Sequence, residues 1–394
     1  MARKYAILRG TRRSTTRGLE SATGAGPAAP AVDPDKARVD VADLSPREAG
    51  TLARDADVAV LAPVMPTTLI RPLEAPAPVA AAGPAWGITA VGADVSQFDG
   101  TDVIVSILDT GIDGQHAAFQ GVTLTEQDFS GSGNGDRQGH GTHCAGTVFG
   151  RDVSGTRIGV ARGVQKALIG KVLGDDGSGS SDALFQAMSW ALQGGARVIS
   201  MSLGFDFPGM VENLVGQGWP ADLATSVALE AYRANLRMFD EIMRMAEARV
   251  PFDGGAVVVA AAGNESRRNV NADYEIAVSI PAAAAGVVSV AALEQGANGL
   301  GIAAFSNTNA EISGPGVAIT SARAGGGLVA FSGTSMATPH VAGVTALWWQ
   351  AIKSRGIPAT ARNVVAQLLA NAKTSTLAPG IDISDRGVGI VMAP

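Results

Sequence analysis

The sequence predicts an α/β fold: a mostly parallel central sheet with helices on both faces, preceded by a small α+β unit. Near-continuous apolar runs recur at residues 103–108, 198–201, 256–261 and 287–290. A strand covered on both faces reads as such a run, because neither of its faces meets water. Helical stretches alternate with these runs, which is the pattern of a parallel sheet with crossover helices. The 394 residues, 46% hydrophobic and 17% charged, suffice for one large domain and a small extra one. In such sheets function collects at the C-terminal ends of the strands.

Several classes are excluded early. A net charge of −6 makes no electrostatic case for nucleic acid as a partner. No apolar stretch reaches the roughly 18 residues of a membrane span, so no membrane is expected. The single cysteine, Cys144, permits no intrachain disulfide. The 50 glycines show no three-residue period, so they read as tight turns and close backbone approaches. The start is basic (Arg3, Lys4, Arg9, Arg12, Arg13, Arg17) and no compact apolar core follows it. It therefore reads as a solvated tail without a secretory signal, and the default compartment is cytoplasmic.

Residues 4–70 read as the small unit. Residues 5–8, 39–41 and 58–62 are strand candidates, and 18–34 is a linker. Ser45-Pro46-Arg47-Glu48 starts a helix that runs to about Arg54, with Ser as N-cap, Pro at the first helical position and Glu closing a capping box. The Ala/Pro-rich stretch 72–84 is a second linker and a boundary. The division expected is 1–75, a linker at 76–85, and one domain over 86–394. Within that domain, 221–250 has Leu229, Tyr232, Leu236, Phe239, Met243 and Ala246 at helical spacing. The Gly/Pro-punctuated stretch 205–220 before it, which contains Trp219, reads as a loop facing substrate or a partner.

Four places carry chemistry. Asp109-Thr110-Gly111 follows the 103–108 strand, where a carboxylate can orient a base. No second tripeptide of its kind supports an aspartic protease. His140 opens a helix between Gly139 and Gly141, and histidine is the side chain suited to move protons near neutral pH. His140, His143 and Cys144 could instead be read as zinc ligands, although two histidines three apart make a poor site without further ligands. Asn264 follows Gly263 at another strand end and offers an amide donor. Ser335 follows Gly333 at the start of a helix, apolar nearly all round over 341–349, where free N–H groups favour developing negative charge. Pro339 fits only near such a start.

Asp109, His140, Asn264 and Ser335 occur in that order. The chain resembles the subtilisin-like serine proteases, or subtilases, on four motifs: 107–113, 139–147, 261–265 and 333–343. Cys144 after the second histidine of the His140 motif is similar to the proteinase K branch. The resemblance covers about Trp86 to the end. It implies the subtilisin-like three-layer fold and acyl transfer: Ser335 as nucleophile, His140 as base, Asp109 orienting the imidazole, and Asn264 with the Ser335 N–H as oxyanion donors. It implies that Gly177, Ser178 and Gly179, and Ser202, Leu203 and Gly204, flank an extended peptide substrate. Ser202–Gly204 with Ala261, Ala262 and Gly263 would line the pocket before the scissile bond, and Glu265 would favour basic residues at its rim. Residues 4–70 resemble a shortened inhibitory propeptide, with self-cleavage expected between Met65 and Gly83. No cofactor is implied for the chemistry; structural calcium is common in the family, with Pro281 and Glu294 as ligand candidates. The family is mostly secreted, which competes with the cytoplasmic default. The expected partners are a peptide or protein substrate and the chain's own N-terminal region. A protease-like binding module silenced by that region stands as the alternative. The 205–255 stretch exceeds the family's usual connection and is expected to narrow the cleft.

Overall fold

The computed structural model describes residues 2–10, 38–74 and 82–394. The proposed linker 18–34 lies outside them, as does most of 76–85. The N-terminal unit is β1 (Arg3–Arg9), β2 (Arg38–Leu44), α1 (Pro46–Leu52) and β3 (Val58–Pro63). It forms an antiparallel sheet in the order β2-β1-β3. Arg3, Lys4 and Arg9, expected in a solvated tail, lie instead in its central strand, where Ala6, Ile7 and Leu8 are buried. The Ser45–Glu48 capping box forms as expected. Two short strands follow, β4 (Pro66–Leu69) and β5 (Leu73–Glu74), and then β6 (Gly83–Pro84). β5 and β6 fall inside the stretch expected to be a linker.

The rest alternates as the apolar runs require. The first part is α2 (Trp86–Ala90), β7 (Ile104–Asp109), β8 (Thr123–Asp128), α3 (His140–Phe149), β9 (Thr156–Arg157), β10 (Lys166–Lys171), β11 (Ser178–Ser180) and α4 (Ser181–Gln193). Then come β12 (Val198–Met201), β13 (Leu203–Phe205), α5 (Phe207–Gly216), α6 (Ala221–Ala248), α7 (Val250–Asp253), β14 (Val257–Ala261) and β15 (Val287–Gly296). The chain finishes with β16 (Gly299–Ile302), β17 (Ile312–Pro315), β18 (Ile319–Ala322), β19 (Leu328–Ser332), α8 (Thr334–Ser354), α9 (Ala361–Ala370) and α10 (Ile383–Arg386).

The main sheet runs β16-β15-β14-β12-β7-β10-β8, with β17 beside β15. Every pairing is parallel except β15 with β16. The winding reverses at β7: the next two main-sheet strands in sequence lie on one side of it and the later ones on the other. A crevice opens at such a switch point, beyond the carboxyl ends of the strands. Strand alternation divides the core in two. Val105 and Ile107 of β7 and Val257 and Val259 of β14 join one apolar cluster with α3 and α8. Leu108, Val258 and Ala260 join the other with α4 and α6. Ala6, Leu8 and Ala62 belong to that second cluster, so the N-terminal unit is seated on α4 and α6. Asn235, fully buried on α6, donates to the Pro63 carbonyl at 2.8 Å and fixes the end of β3.

The stretch 205–220 is not a loop. Asp206 accepts from Gly209 N and caps α5, with Pro208 in its first turn. Among the described residues no helix is long and apolar enough to cross a membrane.

Candidate active site

Asp109 ends β7 and His140 begins α3. Gly141 lets the two approach, since a Cβ there would collide with the Gly111 carbonyl. His140 Nδ1 lies 2.8 Å from Asp109 Oδ1, which also accepts from Thr110 N at 2.7 Å. Both side chains are buried. One further carboxylate locks this junction. Asp136 accepts from Thr110 Oγ1 and Gly139 N through Oδ1, and from Thr142 N and Oγ1 through Oδ2. Sequence reasoning misses it, since its only signal is an acid in the glycine-rich loop just ahead of His140. Burial disfavours the imidazolium, but the adjacent Asp109 carboxylate more than offsets this and pushes His140 well above the ordinary histidine range. The Cys144 thiol is pushed up by burial. His143 and His340 are driven down by burial, to about 3 and about 4, so both are neutral near pH 7.

Ser335 lies in the first turn of α8, where backbone N–H groups have no intrahelical acceptor. Pro339 has no N–H to return to the Ser335 carbonyl one turn back. That carbonyl instead accepts from Ser202 Oγ at 3.3 Å and Cys144 Sγ at 3.4 Å. Cys144 therefore supports the serine's backbone. Asp109, His140 and Cys144 bring their donor atoms within 4.8 Å of one another, but His140 Nδ1 is engaged by Asp109. His143 turns to the Ile319 carbonyl at 2.9 Å, so the zinc set His140–His143–Cys144 is not assembled.

Asn264 follows β14 through Ala262 and Gly263. Its Oδ1 accepts from Thr334 N and Oγ1, both at 2.9 Å, which turns Nδ2 towards the cleft. Gly263 has a positive φ, and a Cβ there would collide with Asn307 and Glu265. Glu265 is exposed at the rim, with Oε2 accepting from Asn307 Nδ2 at 2.6 Å.

The cleft is filled by the chain's own β4 and β5. β4 lies between β11 and β13, antiparallel to both. Leu69 N donates to the Gly177 carbonyl at 2.9 Å. Thr67 and Thr68 pair with Gly179 and Ser178 on one side, and with Phe205 and Gly204 on the other. Ser335 Oγ donates to the Ile70 carbonyl at 3.3 Å, and Asn264 Nδ2 to the Arg71 carbonyl at 3.3 Å. His140 Nε2 is buried and without a hydrogen-bond partner. Beyond the serine, Leu73 and Glu74 pair with Ser332 and Phe331.

Of the calcium candidates, Pro281 precedes β15 and Glu294 lies near its far end.

A crevice at the switch point holds an acid–histidine pair, a helix-borne serine and an amide donor, the groups that acyl transfer calls for. The subtilase family (peptidase S8) matches residues 100–390. The chain belongs to this family of serine endopeptidases. It is 29% identical over 303 residues to a thermostable alkaline protease of Halalkalibacterium halodurans, covering 75% of this chain and 70% of that protein. It is 35% identical over 276 residues to subtilisin-like protease 6 of Trichophyton rubrum, covering 67% of this chain and 57% of that protein. With subtilisin DY of Bacillus licheniformis it shares 34% over 267 residues, 66% of this chain and 83% of that protein. The family's chemistry runs without a cofactor. The cytoplasmic default rests on a missing leader pattern alone, and these relatives lend it no support.

Proposed function

We propose that this chain is a serine endopeptidase acting through Asp109, His140 and Ser335, held silent by its own N-terminal region until it cuts the Ile70–Arg71 bond. The observation that carries this reading is the Ile70 carbonyl at Ser335 Oγ, with the strand before it paired on both sides. In the reaction His140 Nε2 takes the Ser335 proton as Oγ bonds to the Ile70 carbonyl carbon. Asn264 and the Ser335 N–H receive the oxyanion. The C–N bond to Arg71 then breaks, the Arg71 nitrogen takes the proton from His140, and water releases the acyl group by the same steps. In the intact chain the Asn264 amide is engaged one carbonyl downstream, so the first cut requires the strand to bring the Ile70 carbonyl to it.

The test is N-terminal sequencing of the purified chain beside Ser335→Ala. The wild type should yield a new terminus at Arg71 and the variant should keep its original start. A wild-type chain that stays whole and takes no fluorophosphonate label would instead support the silenced binding module. A terminus at Pro72 would assign the cut to the carbonyl that Asn264 holds.

A further inference from the structure

The 205–255 stretch builds a wall that runs beside the bound strand. Strand alternation puts Thr68 and Ile70 on one face of the segment and Thr67 and Leu69 on the other. Thr68 and Ile70 border a cavity of about 1130 Å³ that Leu69 and Arg71 also touch and that reaches Asn264 at the serine. One wall is Gly204 to Pro208 with Leu229 and Tyr232 of α6; the other is the 267–279 loop, including Val270, Tyr274 and Ile276. The α6 wall is fixed: Tyr232 OH accepts from Ile280 N at 3.2 Å, and its ring meets Phe207 edge-on at 6.2 Å. Leu229, Tyr274 and Ile276 remain 47%, 52% and 48% exposed, so apolar area lining this cavity is unpartnered. Three of the charged side chains that line it are engaged: Glu265 accepts from Asn307, Glu275 pairs with Arg268 at 3.1 Å, and Asp206 caps α5; Arg267 and Asp273 complete its charged rim. A threonine is too small to fill this space.

We infer that this groove is a binding site for the substrate side chain two residues before the one at the cut, the position Thr68 occupies, and that it takes a large apolar or aromatic group. The inference rests on the endopeptidase reading. It makes the inserted helices a determinant of substrate choice and names the substrate class: extended peptides with a bulky apolar residue at that position. Phe207, Leu229 and Tyr232 contribute from the insertion, Val270, Tyr274 and Ile276 from the loop.

The test uses the processed protein and quenched fluorescent peptides of the sequence around the Ile70–Arg71 bond, with the Thr68 position changed to Phe, Leu, Ala or Asp. Phe and Leu should exceed Ala by about 10–100-fold in kcat/KM, the scale of discrimination in an apolar pocket, and Asp should be poorest. In Leu229→Ala the Phe-over-Ala ratio should fall several-fold. Leu229→Trp, which fills the groove, should reverse it towards Ala. Efficient cleavage with a flat profile overturns the subsite and leaves the endopeptidase reading standing. No cleavage of any peptide, with Ser335 unlabelled by fluorophosphonate, overturns both.

Discussion

The segment that crosses the cleft has two unlike halves, and they meet at the bond beside Ser335. The incoming half is hydrogen-bonded along both of its edges. Met65 exchanges two hydrogen bonds with Ser181, N to Oγ at 3.0 Å and O from N at 2.9 Å. Thr67, Leu69 and Ile70 are 2%, 5% and 5% exposed, between two strands of the enzyme. Among the described residues the outgoing half pairs on one side through Leu73 and Glu74 and its Arg71 carbonyl accepts from Asn264 at 3.3 Å; Arg71 is exposed and Leu73 is 56% exposed. If the cut falls between them, the outgoing half has little to hold it. The incoming half stays tied to a unit seated on α4 and α6. On the proposed reading cleavage and release are then separate events, and the fragment ending at Ile70 should remain an inhibitor after it is made.

The largest effect falls on the junction itself. Asn264→Ala removes the oriented amide and should slow the first cut by about 10²–10³-fold, measured as the rate at which the Arg71 terminus appears. Equal cut rates in the variant and the wild type would mean that Asn264 takes no part in the step. The next effect is on the incoming half alone. Leu69→Ala empties a buried site, a change that costs about 2–5 kcal/mol in a core. A fragment of residues 1–70 carrying it should inhibit the processed enzyme roughly 30-fold or more weakly, about 1.4 kcal/mol being tenfold.

Much of the junction is legible in the amino-acid sequence. The apolar run ending at Leu108 marks β7 and places Asp109 at its end, because a strand buried on both faces has no polar interruption. His140 between glycines and Ser335 after Gly333 signal helix starts through local backbone chemistry. The crossing segment is not legible as such. Thr67-Thr68-Leu69-Ile70 has a β-branched bias, but its partners lie more than 100 residues away, and nothing local says that it pairs with them. The α5 start is hidden for a different reason. Asp206 and Pro208 are start signals, but the surrounding Gly and Pro residues outweigh them in a reading based on punctuation. Asp136 escapes such a reading because its role is tertiary: its four hydrogen bonds join a loop, a strand end and a helix start.

Thr67→Val tests whether the incoming half is fitted as tightly as its burial suggests. Thr67 Oγ1 is buried and has no hydrogen-bond partner. An unmade hydrogen bond of this kind costs about 1–3 kcal/mol. Valine keeps the shape and removes the hydroxyl, so even the low end of that range predicts roughly fivefold tighter inhibition by the 1–70 fragment. Weaker inhibition would show that water or a movement satisfies the hydroxyl in solution.

The smallest effect is the matched change on the other side of the bond. Leu73→Ala alters a leucine four residues beyond Leu69, but its side chain is largely in water and its hold on β19 is through the backbone. More than half of its surface is already in water, so the scale of about 25 cal/mol per Å² of apolar area gives it much less to lose than a buried leucine. The rate of the first cut should change by no more than about fivefold on that scale. A loss approaching that expected of Leu69→Ala would mean that the outgoing half is clamped in solution, and the separation of cleavage from release would fail with it.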